Sequence, residues 1–214
     1  MNNYRNRRTR WAHRLNEGVD VTPEEQEEYD ELKDSYDLED YIAEDENSPM
    51  VYVGTYGKYN GGDIYGKWLD LTKFTDVDEF VDVCKVLHGP GDHEFMIQDY
   101  QNFPKALYSE SLSMDLMQKA IDYANLDSDE QELVEAYADA WGAQAFENNE
   151  VSDLLRDAND HFFCMENDLE DKITEIFYET YPQAVDIEGY IDWDKVIRDY
   201  SMDYTISQGY VFIN

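Results

Sequence analysis

The chain has 214 residues, 50 Asp plus Glu against 16 Lys plus Arg, and a formal net charge of −34. Such a charge repels nucleic acid and anionic membrane headgroups and selects cationic partners; the 42% hydrophobic and 14% aromatic content argues for a folded protein rather than an acidic tail. The two cysteines, Cys84 and Cys164, form no C-x-x-C pair and indicate neither a disulfide framework nor a zinc site, and no run approaches 18 apolar residues, so no membrane span is expected.

Residues 1–20 are basic, with Arg5, Arg7, Arg8, Arg10 and Arg14 preceding any acid and Trp11 and Leu15 as large apolar anchors. Removing those five charges leaves −39 on residues 15–214. No apolar h-region follows the arginines, so a secretory signal is not expected and the default location is cytoplasmic. Thr22, Pro23 and Glu25 then supply an N-cap, a first helical residue and a capping box. Tyr29, Leu32 and Tyr36 form the apolar stripe of that helix. The run Glu44-Asp45-Glu46-Asn47-Ser48-Pro49 reads as a linker closing a helical extension over 1–49.

From residue 50 the pattern changes. Met50–Tyr56 and Ile64–Leu71 read as strands joined by an Asn60-Gly61-Gly62-Asp63 hairpin turn. A helix over 75–87 would bury Phe80, Val81, Cys84 and Leu87 and end at His88-Gly89-Pro90-Gly91. Phe95-Met96-Ile97 completes a β-β-α-β module over 50–102. Residues 103–158 read as helical, one stripe being Leu112, Leu116, Ala120 and Ile121. Ser128 with Gln131 suggests a second capping box before Leu133, Tyr137, Ala140 and Trp141. Over 159–214 the pattern is mixed: His161–Met165 reads as a strand, Leu169, Ile173, Ile176 and Phe177 line a helix, and Tyr210–Ile213 is a terminal strand. The fold class is therefore α+β.

Acids recur on the helices without neutralising bases. Glu24, Glu27, Glu28, Glu31 and Asp34 surround the first stripe with Lys33 alone beside them. Asp129, Glu132, Glu135 and Asp139 lie on the helix from about 128, the last three at i, i+3, i+7 with no Lys or Arg between them. Glu166, Asp168, Glu170, Asp171, Glu175 and Glu179 stand against Lys172 alone. Like charges at such spacing destabilise a helix by about 0.2–0.5 kcal/mol per pair. Any one run is more simply a solvated face, but recurrence on three helices favours recognition. Duplex DNA carries one charge per about 1.7 Å, so −34 corresponds at most to about 58 Å, or about 17 base pairs. Carboxylates held on helices can therefore pair with the Lys and Arg that line DNA-binding clefts.

Other chemistries find less support. The Asp127–Ala138 segment has Glu132 and Ala138 where a calcium loop needs Gly and Glu. His88 and His93 lack a third ligand at suitable spacing, and Cys164 near His161 is better explained by packing than by a nucleophile. No P-loop, dinucleotide fingerprint or nucleophile elbow occurs. Neither an enzyme nor a cofactor is expected.

The run Val51–Leu71 closely resembles the opening of the ArdA family of antirestriction proteins, through Gly54-Thr55-Tyr56, Lys58-Tyr59-Asn60, Gly62, Ile64, Gly66 and Trp68-Leu69. Further matches are Phe95, Gln98-Asp99-Tyr100, Tyr190-Ile191-Asp192, Arg198-Asp199 and Gly209-Tyr210-Val211-Phe212. The resemblance covers about residues 50–214. It implies a DNA mimic encoded on a mobile genetic element, an inhibitor of type I restriction-modification enzymes that binds in their DNA cleft. It also implies an elongated, curved chain of three small domains and a homodimer, with no catalytic site; the acidic charge, for its part, argues against direct binding of nucleic acid or of a membrane. Segments 50–102, 103–158 and 159–214 are compatible with that architecture.

Residues 1–49 have no counterpart in the family. The acidic helix there could lengthen the mimic or meet another target. For the arginines, contact with the chain's own acids, dimer contacts and nucleic acid remain open, the first being favoured because that counter-charge is nearest. Rival readings are an acidic module for another basic or DNA-binding partner (a nucleoid protein, CRISPR effector or transcription factor) and a salt-adapted protein whose acidity serves solvation.

Overall fold

In the computed structural model the described residues are 21–91, 94–142 and 144–214. The arginine-rich start, with Trp11 and Leu15, and His93 lie outside them. The mixed α+β class expected from the sequence is observed. The chain forms two units, one ending at Asn125 and the other running from Leu126 to Asn214, each built on a three-stranded antiparallel sheet.

The first unit begins with α1 (Pro23–Ser35), whose capping box forms as expected. The Thr22 Oγ1 accepts from the Glu25 N–H at 3.2 Å, and the Glu25 carboxylate accepts from the Thr22 N–H at 2.8 Å. Its Tyr29, Leu32 and Tyr36 are only half-buried, because the helix packs on the outside of α3 (Val77–His88), where Lys85 reaches Glu28 at 2.7 Å. Tyr41 then carries the chain into the core: its ring lies 4.9 Å from Phe74, which meets Phe80 at 5.2 Å. Its hydroxyl donates to Glu79 at 2.8 Å.

The 44–49 stretch is no free linker. The Ala43 N–H donates to the Trp68 carbonyl and the Leu71 N–H to that of Pro49. The Asn102 side-chain amide grips the Glu46 and Ser48 carbonyls at 2.6 and 2.9 Å. Ile42 bridges Leu69 and so covers part of an otherwise open sheet edge. The Glu46, Ser48 and Pro49 carbonyls find their partners in Asn102 and Leu71, residues that directly follow strands of the sheet, which composition alone does not reveal.

The sheet has the order β2 (Lys67–Asp70), β1 (Met50–Thr55), β3 (Phe95–Gln101). Strands β1 and β2 pair antiparallel as expected, but the tight hairpin is not formed. Thr55 caps a short helix, α2 (Tyr56–Asn60), and Ile64 is exposed in the connection rather than starting a strand. Thr55 caps this helix by accepting from the Lys58 N–H, so a helical turn intervenes where the Asn-Gly signal suggested a direct reversal. On the inner face Val51, Val53, Leu69 and Ile97 meet Phe80, Val83, Cys84 and Leu87 as buried residues. Val83, not Val81, is the fully buried valine, and Gly89, at φ 84°, ends α3. Helix α4 (Met114–Ala124) adds Met117, Ala120 and Ile121 to the buried set, while Leu116 is half-buried and Leu112 precedes the helix.

Two motif positions show what the opening run does physically. A Cβ on Gly66 would lie 2.3 Å from the Val53 carbonyl oxygen and 2.7 Å from the Tyr52 ring. Gly66→Ala is therefore expected to push β2 from β1 and lower stability by about 1–3 kcal/mol; an unchanged urea midpoint would refute the close approach. Lys58 places its ammonium 3.0 Å from the Nδ1 of His88 and 4.8 Å from the Tyr65 ring centre.

Burial, then the Lys58 charge, push the His88 pKa down to about 4. The unfolded ring, at about 6.5, takes up a proton sooner than the folded one. This contribution is complete above about pH 6.5 and falls by about 3 kcal/mol as the pH drops toward 4. Comparing wild type with His88→Gln by denaturant unfolding at pH 7 and pH 4 isolates the ring, since the carboxylates are common to both. The stability difference between them should shift by that order against wild type at low pH; a constant difference would refute it.

The second unit has the order β4 (Phe162–Met165), β6 (Tyr210–Ile213), β5 (Tyr204–Ser207). Alternation along β6 serves two cores. Val211 joins Cys164, Leu169 and Ile173 under α8 (Leu169–Thr180), with Val196, Ile197 and Tyr200 of α9 (Trp193–Tyr200) packed alongside. Phe212 points to the other side, its ring 5.5 Å from Tyr137 and 5.6 Å from Trp141 of α5 (Ser128–Trp141). Helix α6 (Ala145–Asn148) is a short turn before α7 (Val151–His161). Helix α5 lies against both α7 and the sheet, so its buried face broadens to Val134, Ala136, Tyr137 and Ala138, with Trp141 left half-exposed.

Two local expectations are corrected here. The capping box of α5 is Asp127 with Glu130, not Ser128 with Gln131; Asp127 supplies the cap one residue earlier, and Glu130 then falls at the third helical position. His161 ends α7 rather than starting the strand, and its Nδ1 lies 2.7 Å from the Asp157 carbonyl.

Candidate functional site: acidic helix faces

The three groups of acids expected to act together fall on α1, α5 and α8. On α1, Glu24, Glu27, Glu28, Glu31 and Asp34 are all exposed, and their i, i+3, i+4, i+7 spacing places the four glutamates on one side. Glu28 differs from the rest because Lys85 of α3 pairs with it. Lys33 lies 6.0 Å from the Tyr29 ring centre.

On α5, Asp129, Glu132 and Asp139 are exposed and Glu135 is half-buried. Two of these acids are tied to the neighbouring sheet. The Tyr210 hydroxyl donates to Glu132 at 3.3 Å and the Ser207 hydroxyl to Asp139 at 3.2 Å. Burial and the nearby Glu132 charge raise the Tyr210 pKa, so the phenol stays protonated and available to donate. Neutral donors fix these carboxylates in place without cancelling their charge.

On α8, Glu170, Asp171, Glu175 and Glu179 are exposed, and Glu166 and Asp168 sit in the 3-10 turn that precedes the helix. Asp171, Glu175 and Glu179 follow one another at i, i+4, i+8. Glu170 and Asp171 in the first turn also oppose the positive end of the helix dipole. Lys172 pairs with Glu175 at 3.0 Å.

Several cations of the described residues are engaged close by in sequence. Arg156 bridges Asp153 at 2.6 Å and Asp157 at 3.1 Å, Lys119 pairs with Asp115, and Arg198 with Asp199. These contacts satisfy the bases on adjacent acids and leave the larger excess of carboxylate unopposed.

Sequence pattern did not separate acids that shape the backbone from those available to a partner. Asp37, Asp70, Asp76, Asp127 and Asp192 each accept a backbone N–H as helix caps, and Asp-before-helix was the signal that could have set them aside. Cys164 lies in the core with its thiol pKa raised chiefly by burial. Among the described residues no group of three or more His, Cys, Asp or Glu has the arrangement to hold a metal ion, and no helix is long and apolar enough to cross a membrane.

The residues carrying the opening motif mainly build the first unit. Thr55 is buried, Gly54 leaves room for the Gln98 side chain, Lys58 meets His88, and Trp68 meets Tyr52 edge-on at 5.5 Å. Motif and acidic surface are thus different sets of residues. No curated protein and no solved structure matches the chain. A family model described as antirestriction protein (ArdA) matches residues 51–212, beginning just after the segment that the extension stitches to the sheet. The chain belongs to the ArdA family of antirestriction proteins.

Proposed function

We propose that the protein is a stoichiometric DNA mimic, competing with duplex DNA for the binding cleft of type I restriction-modification enzymes. Family membership gives the antirestriction role. The observation supporting mimicry is the recurrence of exposed carboxylates on three helices, with Glu132 and Asp139 fixed by neutral hydroxyl donors. Such a surface can satisfy Lys and Arg arranged for phosphates. It acts by occupancy rather than chemistry, as a homodimer in the cytoplasm, where its targets operate.

The test is displacement of labelled duplex DNA from a type I methyltransferase, titrated at low and moderate salt. Stoichiometric displacement that weakens as salt rises is the expected result. Absence of displacement by the folded protein would overturn the reading. Capture of a different DNA-binding protein would then point to the alternative partner. That alternative draws on α1, which adds acids from outside the matched residues.

A further inference from the structure

The edge strands of a sheet carry unpaired backbone groups that invite pairing unless they are guarded. In the first unit Ile42 bridges Leu69 of β2, a strand bounded by Lys67 and Asp70. Ser111 bridges Met96 of β3, and the Ile97 N–H donates to the Glu110 carbonyl. In the second unit β4 carries a register break between Phe162 and Cys164. Among the described residues β5 has none of these guards. It pairs with β6 in unbroken register through a Gln208-Gly209 turn, with φ of 50° and 85° at those two residues. Tyr204–Ile213 contains no charged side chain, although 31% of the chain is charged. The charges that usually deter edge pairing are therefore missing from this hairpin.

The alternation of ladder bonds fixes which groups of β5 are open. The Asn214 N–H donates to the Asp203 carbonyl. Tyr204 and Ile206 then fall at the pairs that do not bond to β6, so their N–H and C=O groups point away from it. Among the described residues no backbone partner meets those groups. Ile206 is 46% exposed and Ile213, on the same face, 44%.

We propose that β5 is the dimer contact, pairing antiparallel with β5 of a second copy about a two-fold axis at Thr205. That centre sets Tyr204 opposite the partner's Ile206, and the reverse, so each open N–H meets an open C=O. An aromatic ring then lies beside a β-branched side chain, a favourable cross-strand pair. One patch serves both copies, as two-fold symmetry requires. A second copy fits this edge because two chains of −34 can approach where carboxylates are absent. The inference rests on the homodimer reading above and is independent of what the acidic helices bind.

The test is sedimentation velocity of the full chain over about a hundredfold range of concentration. Wild type should dimerise, and more tightly as salt rises, because screening relieves repulsion between copies. Ile206→Pro removes an outward N–H without touching the β5–β6 ladder and should weaken the dimer by about tenfold or more. Ile206→Lys, which keeps the backbone donor, should act in the same direction and decides the matter if proline disturbs folding. Thr205→Cys should give a covalent dimer on oxidation with diamide, since Cα atoms at the axis would lie about 4.5 Å apart. Gln208→Cys, away from the axis, should not, and Cys84 and Cys164 are buried. A dimer indifferent to both Ile206 variants, one that loosens with salt, or a Thr205→Cys chain that fails to cross-link overturns the β5 assignment and leaves the homodimer standing. A wild type that stays monomeric throughout overturns both.

Discussion

Replacing Glu132, Glu135, Asp139, Glu170, Asp171, Glu175 and Glu179 together by their amides should weaken displacement of DNA from a type I enzyme by about a thousandfold. An exposed ion pair is worth roughly 0.2–1 kcal/mol, so losing one carboxylate should cost about 1.4- to 5-fold and losing seven about three orders of magnitude. Amides retain the oxygen that accepts from Tyr210 and Ser207, so the local geometry is kept. Removing like charges at i, i+3 and i+4 should stabilise α5 by about 0.2–0.5 kcal/mol per pair, whereas on α8 that relief is offset by losing Glu170 and Asp171 from the positive end of the helix dipole and the Lys172–Glu175 pair. Inhibition should therefore fall steeply while thermal stability changes little, which unfolding cannot imitate. The salt dependence should flatten as well, because fewer charges take part. Displacement within threefold of wild type, or its abolition by Glu132→Gln alone, would sink the summed-charge picture. A parallel set at Glu24, Glu27, Glu31 and Asp34 measures what the extension contributes.

Phe212→Ala should open the second unit. The side chain is fully buried between Tyr137 and Trp141, and emptying such a site costs about 3–5 kcal/mol. Small domains have only about 5–15 kcal/mol in total. Loss of amide protection is expected across α5, α7 and the β4–β6–β5 sheet, with protection in the β2–β1–β3 sheet retained. Uniform loss through both sheets would show that the units unfold as one, and unchanged protection would contradict the packing of Phe212.

Where local rules dominate, the sequence was a good guide. Thr22, Pro23 and Glu25 satisfy neighbouring backbone groups without help from elsewhere, so the start of α1 was legible. The β-type runs at Met50–Thr55 and Tyr210–Ile213 were legible for the same reason, because alternation and β-branched content act within a few residues. The connection from β1 to β2 was not. Asn60-Gly61 is a sound turn signal, yet a cap from Thr55 starts α2 first. Segment 44–49 misled in the opposite direction: its composition suits a linker, but its backbone groups bond to residues 20 to 60 positions away.

The candidate site divides along the same line. Charge, its recurrence on three helices and the family resemblance can all be read from the sequence, since they depend on residue identity and on a fixed 3.6-residue period. Which acids are fastened to a sheet, which serve as caps and which pair with a distant lysine depends on contacts across the fold. Tyr210 meets Glu132 across 78 positions and Lys85 meets Glu28 across 57. By itself the sequence determined an acidic, folded α+β protein of the ArdA family with helices beginning near residues 23 and 128. Only the tertiary structure decided that helix α4 belongs with the first sheet and α5 with the second, and that the extension is stitched to the first unit. A helix carries its apolar stripe in its own residues, but the surface that covers the stripe is supplied by chain far away in sequence.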